Sequence, residues 1–190
     1  MHKKEWNVIL AKDKTKVQEK YMLKRFYPGE YLESAYKIDF AKLYAEGYRG
    51  IIFDIDNTLV PHGAPAEERA KALFESLKKM GFQCCLLSNN KEPRVKMFND
   101  AVQVNYIFKA GKPKASGYQQ AMKIMRTNRE NTLFVGDQIF TDVYGANRVG
   151  IRTILTQPIH PKEEIQIVLK RYLEKIVLFF YKKNQKKQKK

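Results

Sequence analysis

The run Ile51-Ile52-Phe53, followed at once by Asp54-Ile55-Asp56-Asn57-Thr58, constrains this chain more than any other stretch. Three consecutive large apolar residues suit a strand buried on both faces, which is the setting of a parallel sheet covered by helices. The strand must end where the carboxylates begin. In an open α/β sheet that end is where ligands sit. Two carboxylates placed there repel each other unless a cation or a shared proton relieves them. Asp-x-Asp by itself is equally a solvated acidic loop, so the remaining sequence has to choose.

That sequence alternates. Ile38 to Glu46 reads as a short helix ending at Gly47, with Ser34 opening a turn before it. After the Ile51 strand and the loop Pro61-His62-Gly63-Ala64-Pro65, a helix is predicted from Ala66 to Met80, stopping at Gly81. Strands follow at Cys84–Leu87, Tyr106–Phe108, Thr132–Val135 and Ile151–Leu155. Between them lie helices over about Pro93–Val102, Ala115–Arg126 and Val143–Arg148. Five strands with short helical crossovers predict an α/β, Rossmann-like, three-layer fold around a parallel, doubly wound sheet.

The charge is unevenly spread. Residues 1–27 carry +5 and residues 170–190 carry +8, which leaves only +3 of the net +16 for the 142 residues between. The expected organisation is a basic extension over 1–27, a globular domain over 28–160, and a tail over 161–190. Basic ends point to an anionic partner, a membrane surface or RNA. Cys84 and Cys85 are adjacent in an apolar run, unsuited to a framework disulfide and expected in the core. A reducing, cytoplasmic setting is expected, since no apolar run reaches membrane-spanning length.

Four strand ends carry polar residues: Asp54/Asp56, Ser88-Asn89-Asn90, Lys112-Pro113, and Gly136-Asp137 with Asp142. Taken alone, Lys112 is an ordinary solvated lysine with Lys114 as a rival. Ser88 could cap a helix, Asp142 could cap the next one, and His62 reads as an incidental loop residue. In this order and spacing the four resemble the motifs of the haloacid dehalogenase (HAD) phosphatase superfamily over roughly residues 48–156. The resemblance implies Asp54 as nucleophile forming an aspartyl-phosphate, and Asp56 as acid and then base. It implies Mg²⁺ held by Asp54, the Asp56 backbone carbonyl and Asp137, with Asp142 acting through water or orienting a ligand. Ser88, Asn89 and Lys112 would bind phosphoryl oxygens, and Thr58 would support the loop.

HAD enzymes often carry a cap domain after the first motif or between the second and third. Neither the gap from Thr58 to Ala66 nor that from Ser88 to Lys112 has room for one, so a capless site is expected. Tyr27-Pro28-Gly29-Glu30-Tyr31, Ser34 and Ile38-Asp39, with the Ser88-Asn89-Asn90 triplet, resemble the YqeG-type branch of HAD subfamily IIIA. That branch is similar to phosphatidylglycerophosphate phosphatases of phospholipid synthesis. It implies a phosphomonoester substrate, lipid-borne in that reading and a soluble metabolite, nucleotide or phosphorylated macromolecule otherwise.

The C-terminal segment closes the sequence reading. Ile165, Val168, Leu169, Tyr172, Leu173, Ile176 and Phe180 fall on one helical face, with six lysines among the last nine residues. Two expectations compete: this face packs on the domain as a terminal helix, or it seats the protein peripherally on anionic lipid. A third reading, a basic HAD-fold protein bound to RNA or the ribosome, is disfavoured by retention of both Asp54 and Asp56.

Overall fold

The structure is a computed structural model that describes residues 23–160 and 165–188, with side chains of the second range from 168 to 187. The N-terminal segment 1–22 lies outside the described residues, as does the side chain of Ile165. Six parallel strands form one sheet in the order β1-β6-β5-β2-β3-β4. They are β1 (Glu30–Leu32), β2 (Gly50–Phe53), β3 (Gln83–Leu87), β4 (Asn105–Ile107), β5 (Thr132–Gly136) and β6 (Arg152–Thr156). The helices are α1 (Phe40–Ala45), α2 (Glu68–Met80), α3 (Glu92–Val102), α4 (Ala115–Met125), α5 (Tyr144–Arg148) and α6 (Ile165–Gln188).

The apolar strands alternate sides, as a pleat requires. Ile51, Phe53, Cys84 and Leu86 face one buried cluster with Phe40, Phe74, Leu77 and Phe98. Ile52, Cys85, Leu87 and Phe134 face the other, with Tyr118, Ala121 and Met125. Helices therefore cover both faces, and the three-layer expectation holds. Both thiols are buried and free.

Four differences from the sequence expectation have physical causes. The sheet gains a sixth strand, because Glu30–Leu32 pairs with Ile154–Thr156 at an edge, too short and mixed in polarity to read from pattern. Its approach is tied down by Thr153 Oγ1, which accepts the Gly29 amide at 2.9 Å. Helix α2 starts at Glu68 and not at Ala66, because Glu67 is still extended with ψ of 166°. The helix expected from Ile38 starts only at Phe40, where Asp39 accepts the Lys42 amide, while the turn expected at Ser34 is a 3₁₀ turn at Ala35–Lys37 in which Ser34 Oγ accepts the Tyr36 amide. Before α5 the chain makes a wide π-helical turn, Ile139–Val143.

Helix α6 is present but turned. It docks through Val177 and Tyr181, with Leu178 beside Ile139, Val143 and Leu155. The predicted stripe Leu169, Tyr172, Leu173, Ile176 and Phe180 stays exposed.

Candidate active site

Three central strands, β5, β2 and β3, end side by side, and their carboxyl ends build the site together with the loop after β4, which brings Lys112. After β2 the chain curls on Ile55, whose carbonyl accepts the amides of Thr58, Leu59 and Val60. Ile55, Leu59 and Val60 are completely buried, an apolar footing that fixes Asp54, Asp56 and Thr58 above it. Asn57 takes a left-handed conformation (φ 63°) that asparagine tolerates. Its side chain and carbonyl accept the amides of His160 (3.3 Å) and Ile159 (3.0 Å), tying the loop after β6 to this turn.

Asp54, Asp137 and Asp142 each present a carboxylate oxygen within 4.8 Å of the others, and all three are buried. Lys112 Nζ donates to Asp54 Oδ1 at 2.6 Å and to Asp142 Oδ1 at 2.7 Å. Thr58 Oγ1 donates to Asp137 Oδ1 at 3.1 Å and lies 3.5 Å from Asp54 Oδ2. Arg171 reaches in from α6, its Nη1 donating to the Asp137 carbonyl at 2.6 Å and its Nη2 to the Asp137 carboxylate. Glu174, one turn on, accepts from Arg171 (2.9 Å) and from the Ile139 amide (2.6 Å).

Three carboxylates face two cations, and the shortfall shows in their proton affinities. Burial pushes Asp54 up to about 6, although Lys112 pulls the other way. Burial, with Asp54 adding to it, holds Asp137 well above the ordinary carboxylate range despite Arg171. Burial alone would lower Lys112, but the Asp142 and Asp54 carboxylates outweigh it and its pKa is raised. The lysine stays charged, and the carboxylates still lack positive charge. A cluster of hard oxygen donors short of positive charge fits a divalent cation.

Asp56 turns away from this cluster. Its Oδ1 accepts from the Gly63 amide (2.7 Å) and from Arg94 Nε and Nη2 (3.2 and 2.9 Å), and its Oδ2 from Asn90 Nδ2 (2.7 Å). His62 Nδ1 is 3.8 Å from the same Oδ1 and lines the pocket. Ser88 does not cap α3; its Oγ accepts the Asn90 amide at 3.1 Å and bends the triplet toward Asp56. The Asn89 amide is engaged by the Lys112 backbone, accepting its N–H (2.7 Å) and donating to its carbonyl (3.2 Å). Asn89 thereby positions the lysine. Lys114 is exposed, so the geometry favours Lys112 over its rival. Asp142 Oδ2 accepts the Gln138 amide (3.1 Å), steadying the π turn while its other oxygen faces Lys112.

The pocket over these groups holds about 320 Å³ and is lined by polar residues: Asp54, Asp56, His62, Ser88, Asn89, Asn90, Lys112, Gln138, Thr141 and Lys170. A larger groove of about 760 Å³ lies by Lys24, Arg25, Arg148 and Arg152, but no carboxylate among the described residues lines it. Sequence reasoning missed Arg94, Arg171 and Glu174. For the last two the available signal was their three-residue spacing on the side of α6 away from its apolar stripe.

The sequence profile of the haloacid dehalogenase-like hydrolases matches residues 65–150. A Bacillus subtilis (strain 168) protein named "Probable phosphatase YqeG" is 36% identical over 159 residues, covering 83% of this chain and 92% of its own. The chain is a haloacid dehalogenase-like hydrolase. Within that family it is a phosphatase of the YqeG type, and more distant relatives carry a substrate in their names. Proteins named phosphatidylglycerophosphate phosphatase 1 from Arabidopsis thaliana and Chlamydomonas reinhardtii are 29% and 28% identical; the matches cover 73% and 72% of this chain but 45% and 55% of theirs. A solved Vibrio cholerae structure named for 3-deoxy-D-manno-octulosonate 8-phosphate phosphatase shares the fold. The match has a TM-score of 0.50 and 16% identity, over 64% of this chain and 73% of that one. In this HAD phosphatase the described residues hold no cap: residues 59–67 form only a loop, and α3 and β4 fill the gap between Ser88 and Lys112.

Proposed function

We propose that this phosphatase is a Mg²⁺-dependent phosphomonoesterase acting through an aspartyl-phosphate on Asp54, with phosphatidylglycerophosphate as its substrate. The observation that carries the chemistry is the buried Asp54 carboxylate, gripped by Lys112 and clustered with Asp137 and Asp142 at the floor of an open pocket. Asp54, Asp137, Asp142 and the Asp56 carbonyl would hold the ion, which supplies the charge neutralisation that lets one anion approach another.

The chain's own groups do the rest. An Asp54 oxygen attacks phosphorus and the bond to the ester oxygen breaks; Asp56 gives that oxygen its proton. Asp56, held by Arg94, Asn90 and the Gly63 amide, then takes a proton from water as water attacks the acyl-phosphate. That step releases phosphate and restores the Asp54 carboxylate. Lys112 and Ser88 offset charge on the phosphoryl oxygens, and Thr58 keeps Asp54 and Asp137 in register.

Two observations support the lipid assignment. The distant relatives are named for that lipid. Among the described residues the side chains lining the pocket are all polar, walls suited to a phosphorylated glycerol head group and not to an acyl chain. The lipid's tails would stay in the bilayer while its terminal phosphate enters. The test is phosphate release from phosphatidylglycerophosphate by the purified chain. We expect turnover with Mg²⁺, loss of it with EDTA, and a fall of at least about 10³-fold in Asp54→Asn. Release from soluble monoesters with none from the lipid would remove the substrate and leave the chemistry standing.

A further inference from the structure

The outer side of α6 is apolar, basic and uncovered. We propose that this face docks on an anionic phospholipid surface and holds the pocket rim at head-group level; only the second half of this statement rests on the lipid-substrate reading.

Helix α6 has two apolar sides. The inner one is fixed to the domain by Val177, Tyr181 and the Glu174 carboxylate on the Ile139 amide. At 100° per residue, the side facing away carries Leu169, Tyr172, Leu173, Ile176, Phe179 and Phe180. Leu169, Phe179 and Tyr172 are 69%, 63% and 62% exposed. Elsewhere among the described residues the exposed large apolar side chains are Met97, Phe108 and Ile124, scattered singly. A contiguous stripe of this kind marks an interaction surface.

Charge selects the occupant. The only acid on α6 is Glu174, which is buried, so the outward surface of the helix carries no negative charge. Lys175 flanks the stripe with its ammonium 5.1 Å from the Tyr172 ring centre, and Lys182, Lys183, Lys186 and Lys187 follow the stripe's end. A second copy of this chain would bring the same positive charges face to face. RNA would satisfy the lysines and leave the leucines, isoleucine and phenylalanines in water. An anionic bilayer surface answers both, since it sets negative head groups directly over an apolar layer. No helix among the described residues is long and apolar enough to cross a membrane, so α6 would lie in the interface plane.

The helix is also well placed for the reaction. Lys170 lines the pocket and Arg171 holds Asp137, so a surface seated on the next turns lies beside the pocket rim.

The experiment is co-sedimentation of the full chain with vesicles of phosphatidylcholine alone or mixed with phosphatidylglycerol. We expect binding to the anionic vesicles that weakens with salt. Replacing Leu169→Gln, Ile176→Gln and Phe179→Gln together should lower that binding at least roughly tenfold. Each of Lys183→Gln and Lys187→Gln should lower it about fivefold. Hydrolysis of p-nitrophenyl phosphate by the triple variant should match the parent, which shows that it is folded and active. Equal vesicle binding by parent and triple variant would overturn the proposal. So would a parent dimer that the triple variant abolishes in light scattering, or RNA binding that it weakens. Hydrolysis of phosphatidylglycerophosphate in detergent micelles separates the two ideas. Turnover there without vesicle binding removes the docking face alone, whereas vesicle binding without that turnover removes the substrate alone.

Discussion

Arg171 supplies positive charge to Asp137 from helix α6, where Glu174 holds it in place. Removing it leaves a buried carboxylate without its partner, which costs about 3–5 kcal/mol. Arg171→Met should therefore lower the melting temperature of the cation-free protein. Added Mg²⁺ should restore more of the loss than it adds to the parent, because the ion replaces the missing charge; equal shifts in the two proteins would refute this. Arg94 serves Asp56 in the same manner, and if Asp56 is the acid–base group proposed above, Arg94→Met should lower kcat by about 10–100-fold with little change in KM, since it touches that carboxylate and not the phosphate. Asp54, Asp56, Ser88, Lys112 and Asp137 were legible because each follows an apolar run that must be a strand, and strand ends converge. Asp142 was legible as a supporting acid of the site through the resemblance, but its direct place in the carboxylate cluster was not, since a π turn leaves no sequence signature that separates it from a helix cap. Arg94 and Arg171 were not legible, because an arginine on a helix surface looks alike whether it faces water or a distant strand end.

At the level of elements, the tightest juncture is where β5 meets the π turn. A Cβ added at Gly136 would collide with the Asp142 carboxylate, and one added at Gly145 with the Tyr118 ring and hydroxyl. The Tyr118 hydroxyl donates to the Thr141 carbonyl at 2.7 Å, so α4 props the turn that carries Asp142. Gly145→Ala should destabilise the protein by about 1–3 kcal/mol and lower activity as well, because the displaced tyrosine releases Thr141. A loss of stability with full activity would show that the turn does not need this prop. The central strands and most helices were readable from periodicity, with ends off by a residue or two. β1 was not, because three residues at an edge make no pattern. The orientation of α6 was not, because a helix apolar on two sides does not reveal which side meets the domain.

For the molecule as a whole, the sheet's two buried faces isolate the thiols. Burial pushes Cys84 and Cys85 up to about 12, so at pH 8 both remain protonated and unreactive in the folded protein. Ellman's reagent should label neither until denaturant is added; rapid labelling of the native chain would contradict the packing. The carboxylate cluster has a different reach. Its oxygens come from the end of β2, the end of β5 and the π turn, and the Asp54 amide itself bonds the Val135 carbonyl at 2.9 Å. With an ion clasped between them, none of these pieces can fray alone, so local opening and ion loss become one event. Amide deuterium uptake at Asp54 and its neighbours should then report occupancy directly, slowing about tenfold for each tenfold rise in free cation beyond saturation.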